Sequence, residues 1–109
     1  MSDTETVLIR DIGREQLLAE LRALRPVFER EGVTHLALIG SRARLDNRLD
    51  SDVDLLIDVE PNRKFSLVEV ARIVRAVEER VRFRADILMR RSLRSDLLRE
   101  ASQDQIMVF

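Results

Sequence analysis

Two aspartates two residues apart, Asp52 and Asp54, open the run Asp52-Val53-Asp54-Leu55-Leu56-Ile57-Asp58-Val59. On an extended strand alternate side chains share a face. The two carboxylates therefore point the same way with Cα atoms about 6.5 Å apart, while Val53, Leu55, Ile57 and Val59 turn to an apolar face. Two such charges repel by about 4 kcal/mol at about 4 Å and an effective dielectric of about 20. A bound divalent cation removes that cost, and an all-oxygen ligand set favours magnesium. A third acid, Asp86, sits in another strand-like run, Arg84 to Met89, where Ala85, Ile87 and Met89 alternate with Asp86 and Leu88. Neighbouring strands lie about 4.8 Å apart, so Asp86 can join the first two around shared ions. Asp58 has the same parity but lies roughly 13 Å beyond Asp54, too far for the same ion, and reads as a strand-end residue.

The second chemical element precedes these acids by ten residues. An apolar run, Leu36-Ala37-Leu38-Ile39, passes directly into Gly40-Ser41. A strand–glycine–helix junction offers backbone N–H groups to phosphate, glycine permits a close approach, and the Ser41 hydroxyl can donate. Arg42 and Arg44 fall on the same turn as candidate phosphate contacts, with Arg44 the better suited of the two to a structural or solvent-facing role. His35 to Ile39 is expected as the first strand, Arg42 to Arg48 as a short helix and Asp52 to Val59 as the second strand.

The other elements must hold these two segments together. Leu17, Leu18, Leu21, Leu24 and Phe28 draw one stripe on a helix from Arg14 to Glu31, which Pro26 kinks or restarts and Gly32 ends. Met1 to Ile12 carries no motif and reads as a short helix or a lead-in. Ser66-Leu67-Val68-Glu69 is a capping box opening a helix whose buried stripe is Leu67, Val70, Ile73 or Val74, Val77 and Val81. Ser95 to Ala101 is a last short helix, and Gln105 to Phe109 is a terminal strand or a docked tail.

The chain has 109 residues, 45% hydrophobic and 36% charged, with a net charge of −1. A single domain over residues 1–109 is expected. Near-zero net charge argues against a general polyanion binder, and without Tyr or Trp there are few stacking groups for single strands. No direct nucleic-acid binding is expected. The groups Arg80, Arg82, Arg84 and Arg90, Arg91, Arg94 read as solvated faces balanced by nearby acids. His35, the one histidine, reads as packed or half-exposed rather than as a ligand. The absence of cysteine excludes thiol chemistry and fits a reducing compartment. No apolar run approaches the roughly 20 residues of a membrane span, and no signal-peptide pattern opens the chain, so a cytoplasmic protein is expected.

Gly40-Ser41, ten residues, then Asp52-x-Asp54 resembles the signature of the nucleotidyltransferase superfamily that includes DNA polymerase β. Within it, the short chain and the form Gly-Ser-Arg-Ala-Arg…Ser-Asp-Val-Asp-Leu resemble the minimal nucleotidyltransferase (MNT) antitoxins paired with HEPN-type RNase toxins. The resemblance implies a polymerase β-like α/β (α+β) fold: a small mixed sheet with helices packed on one face and the acids on the other, open face. It implies that Gly40 and Ser41 hold the triphosphate of ATP. It also implies that Asp52 and Asp54 bridge two Mg²⁺, while Asp86 completes the triad, binds one ion and helps deprotonate the attacking hydroxyl. The implied reaction is transfer of AMP to a hydroxyl, a tyrosine of the HEPN toxin in a hetero-oligomer, which silences the RNase. The family continues Ala-Arg-Gly where this chain has Leu45, which leaves the course of the following loop open. Two alternatives stand beside this reading: a non-enzymatic antitoxin acting by occlusion, and a small-molecule nucleotidyltransferase. The length, with no room for an added substrate domain, favours an acceptor supplied by a protein partner.

Overall fold

The computed structural model describes residues 10–109. The first nine residues of the Met1 to Ile12 segment lie outside the described residues. The apolar stripe at the N-terminal end forms two helices, α1 (Arg14–Ala23) and α2 (Arg25–Arg30), which meet at Leu24. Pro26 restarts the helix rather than kinking it: it lies in the first turn of α2, where its missing N–H has no intrahelical partner to lose. Gly32, with φ of +100°, turns the chain into β1 (Val33–Ile39), two residues earlier than expected.

After the single turn α3 (Ser41–Arg44) comes β2 (Val53–Val59), then α4 (Leu67–Val81) and β3 (Ala85–Met89). A 3₁₀ turn over Arg90–Ser92, α5 (Ser95–Gln103) and β4 (Ile106–Met107) complete the chain. The sheet order is β3-β2-β1-β4. β1 runs antiparallel to β2 and β4, and β2 runs parallel to β3, with α4 as the crossover that a parallel pair requires. Of the Gln105–Phe109 tail only Ile106–Met107 is a strand, and β1 is interior.

The capping box at α4 is present: the Ser66 N–H donates to Glu69 Oε1 at 2.7 Å and the Val68 N–H to Ser66 Oγ at 3.3 Å. Glu69 is held down to about 2, first by its bond with the Ser66 side chain and then by the Ser66 backbone N–H. Ile73, Val77 and Val81 form the buried stripe, which settles position 73 over 74. Leu67 is 84% exposed, contrary to the expected stripe, because the first residue of α4 projects before the helix reaches the sheet.

The main core lies between one sheet face (Leu36, Leu38, Val53, Leu55, Ile57, Val59) and helices α1, α2 and α4. The mixed sheet and the helical layer agree with the expected fold class. The opposite face is only partly open. Ala37, Ile39 and Leu56 are buried there with Leu88, Leu93, Leu98 and Ala101, so α5 covers part of the face that carries the acids. That covering follows from the helical spacing of Leu93, Leu97, Leu98 and Ala101, a stripe that needs an apolar surface. Among the described residues no helix is long and apolar enough to cross a membrane.

Candidate active site

Strand register builds the site. Ile39, the last residue of β1, pairs with Asp54, and Asp54 pairs with Asp86 across the parallel β2–β3 ladder. Asp52 stands one residue before β2, exposed, rather than inside the strand. Asp54 and Asp86 thus stand side by side at one end of the sheet, where β1 gives way to Gly40, and Asp52, two residues before Asp54, is near enough for its charge to act on Asp54. Asp58, six residues after Asp52, pairs instead with Arg90 at 3.0 Å and takes no part.

Gly40 has φ of +76°, a left-handed conformation that side chains resist, and a Cβ there would collide with the Asp54 carboxylate. No other residue type lets the backbone pass this close. The Ala43 and Arg44 amides both donate to the Gly40 carbonyl at 3.1 Å, so those of Ser41 and Arg42 lie outside the helix's own ladder. The helix expected over Arg42–Arg48 is only one turn, Ser41–Arg44, and its dipole is correspondingly small. Backbone amides, the Ser41 hydroxyl and the side chain of Arg44 are what the turn offers an anion.

Arg44 faces solvent as expected, whereas Arg42, expected as the better phosphate contact, is the structural one of the pair. Arg42 is 2% exposed, and its guanidinium donates to Ser51 O at 3.0 Å, Leu49 O at 3.3 Å and Asp11 Oδ1 at 2.7 Å while lying over the Phe83 ring. Committed to these partners, it does not present itself to phosphate. Arg44 is 44% exposed, donates to Asp46 at 3.1 Å and stands 3.9 Å from Asp104 of the α5 cap. At the Leu45 position the backbone keeps a left-handed turn, φ +67°, despite the leucine, and the side chain is 61% exposed.

Burial raises the Asp54 carboxyl above its ordinary value; the charges of Asp86 and Asp52 push the same way, and Arg44 offsets part of the effect. A half-buried acid held between two others is a site short of positive charge. The donors fit Mg²⁺ in kind, being carboxylate oxygens. They do not form a closed cage: no group of three acidic, histidine or cysteine side chains among the described residues is set to hold an ion unaided. Mg²⁺ suits such an open set, since it is held by one or two carboxylates with water and substrate phosphate filling the rest.

Beside Gly40, between the end of β1 and α5, lies a cavity of 310 Å³. Ile39, Leu88, Leu93, Leu97 and Ala101 line it with Gly40, together with Arg44, Glu100 and Asp104. Its volume lies at the small end of ligand pockets, roughly 300–1,000 Å³. Leu97, Glu100 and Asp104 are site residues that the sequence reading missed. From the sequence a last short helix is expected over Ser95 to Ala101, without a surface for it to pack on.

The nucleotidyltransferase domain family matches residues 15–107. The chain belongs to this family. The nucleotidyltransferase chain is 32% identical over 92 residues to the protein adenylyltransferase MntA of Thermococcus cleftensis, covering 84% of its own length and 88% of that relative. A solved minimal nucleotidyltransferase superposes with a TM-score of 0.74 at 33% identity, over 87% of this chain and 95% of the other. A toxin–antitoxin structure with AMP-PNP superposes at 0.67 and 12% identity, over 83% of this chain and 72% of that one, a likeness of fold. A mutant MntA–HpeT toxin–antitoxin structure does so at 0.65 and 11%, over 90% and 73%.

Proposed function

We propose that this nucleotidyltransferase is an antitoxin that transfers AMP from ATP to a hydroxyl, a tyrosine, of a HEPN-type RNase toxin and so neutralises it. The observation that carries the reading is the pairing of Asp54 with Asp86, Asp52 standing two residues before, at the strand end where Gly40 admits a close backbone approach. The adenylyltransferase relative at 32% identity supports AMP as the group transferred. The toxin–antitoxin neighbours, one with AMP-PNP, add a precedent on the same fold for a toxin partner and a nucleotide.

In this reading Gly40, Ser41 and Arg44 bind the triphosphate, and the apolar cavity against α5 takes the base. Asp52, Asp54 and Asp86 would hold two Mg²⁺, which when bound neutralise phosphate charge and clamp the entering and leaving oxygens of an in-line displacement. Asp86 accepts the proton of the attacking hydroxyl. A bond forms between that oxygen and the α-phosphorus, the α–β bridge breaks, and pyrophosphate leaves.

The test is the intact mass of the neighbouring gene's product after incubation with the protein, ATP and Mg²⁺, with Asp52→Asn/Asp54→Asn as control. Increments of AMP that vanish with the control support the reading, and peptide mapping then gives the acceptor. A tight complex without an increment replaces it with occlusion. With neither complex nor increment, the acceptor is to be sought among small molecules.

A further inference from the structure

We infer that Arg42 is a positioning residue that sets the three site segments against one another without touching substrate. Its backbone belongs to the turn that follows Gly40 and Ser41. Its Nε and Nη2 donate to Ser51 O and Leu49 O, fixing the loop end that delivers Asp52. Its guanidinium carbon lies 4.3 Å from the centroid of the Phe83 ring, three residues before Asp86. Next to that stack, the Val53 N–H donates to Arg84 O at 2.7 Å, so the approach of β3 to β2 is defined on both sides of the ladder's start.

Asp11 closes the arrangement from outside. It accepts from Arg42 Nη1 at 2.7 Å and from Asn47 at 2.9 Å, and its carboxyl is held below the ordinary range chiefly by the bond with Arg42. A buried cation with all three nitrogens engaged and one face stacked has a single orientation. Lysine can reproduce neither the planar fork nor the stack. The side chain therefore couples the glycine turn, the Asp52 loop and the root of β3 in one rigid contact.

The kinetic part of this inference rests on the adenylyl-transfer reading; the positional part does not. Backbone amide spectra of ¹⁵N-labelled full-length protein would be compared between the wild type and Arg42→Lys, with circular dichroism confirming the fold. The amides of Asp54 and Asp86, neither of which contacts Arg42, should shift. Per folded molecule, kcat should fall about 100-fold, the loss typical of reacting groups misplaced by about 1 Å. The KM for ATP should stay within roughly threefold, because the groups that bind it are unchanged. A merely structural role would lower the melting temperature and leave kcat per folded molecule alone.

Unmoved Asp54 and Asp86 amides in a folded variant overturn the inference whatever the activity. Shifted amides in a protein whose wild type transfers no AMP retain the positioning role and sink the transferase reading. If Arg42→Lys does not fold, Phe83→Leu, which removes the stack and leaves the hydrogen bonds, is judged on the Asp86 amide alone by the same standard.

Discussion

Gly40 follows directly on Ile39, the β1 residue paired with Asp54, and lies so close to that acid that the space a Cβ would fill at position 40 is taken by the Asp54 carboxylate. The glycine thus serves the backbone, through φ of +76°, and the acid, through the room it leaves. Gly40→Ala should cost roughly 1–3 kcal/mol of stability from the positive-φ backbone alone, since that region is essentially restricted to glycine. It should also displace the carboxylate and abolish AMP transfer. Urea denaturation followed by the mass assay checks both; an active Gly40→Ala protein would show that the close approach is dispensable.

Asp54 should weaken the fold it serves. Its carboxyl is raised by burial and by the charges of Asp86 and Asp52, so the folded state holds the proton more tightly than the unfolded chain. Stability then falls as pH rises from the ordinary value of 3.8 through the raised one, and stays lower above it. Asp54→Asn should accordingly melt higher than the wild type at neutral pH. The gap should close below pH 3.8, where both forms are uncharged. Mg²⁺ with ATP should raise the wild-type melting temperature and leave the variant unmoved, since a ligand stabilises only the state that binds it. Melting curves across pH, with and without Mg²⁺·ATP, test all three statements.

Arg44 should matter to the nucleotide and not to the fold. It is exposed, and its partner Asp46 is a surface neighbour. Arg44→Ala should leave stability within about 0.5 kcal/mol. A charge-assisted hydrogen bond to phosphate contributes about 1.5–3 kcal/mol, so ATP affinity should drop roughly 10- to 100-fold. Calorimetric titration with ATP and Mg²⁺ measures this, and an unchanged Kd would remove Arg44 from the phosphate site. Arg42→Ala, with its buried network, should destabilise strongly in the same comparison.

Ser66 and Glu69 lie away from the acids and provide a purely structural control. Ser66→Ala should cost about 1 kcal/mol, the usual value for a lost N-cap, with kcat unchanged. Glu69 has its folded value depressed to about 2 from 4.5, so its contribution is present above pH 4.5 and is lost as pH falls through about 2. Glu69→Gln should flatten the acid limb of the stability profile over that window, as acid titration of the melting temperature would report.

Much of this protein was written in local pattern. The alternation of Asp54 with Val53 and Leu55, the apolar run into Gly40-Ser41, the capping box at Ser66 and the interruption at Pro26 are short-range features, and each appears in the structure because strand alternation, capping and proline geometry act within a few residues. The arginine pair was not legible. Spacing puts both Arg42 and Arg44 on one turn, but only the packing of Phe83, Ser51 and Asp11 decides that Arg42 turns inward and Arg44 outward.

The last helix, α5, was likewise expected without any indication of the surface it covers. Sheet faces are chosen by the whole set of strands and helices: α1, α2 and α4 occupy one face, which leaves Ala37, Ile39, Leu56 and Leu88 for α5. The positions of the acids and of the glycine turn along the chain were therefore legible in the sequence alone. The cavity beside them, and the residue-for-residue register that sets the expected Asp86 opposite Asp54, were decided only by tertiary structure, because two parallel strands are joined through a crossover rather than by a tight turn.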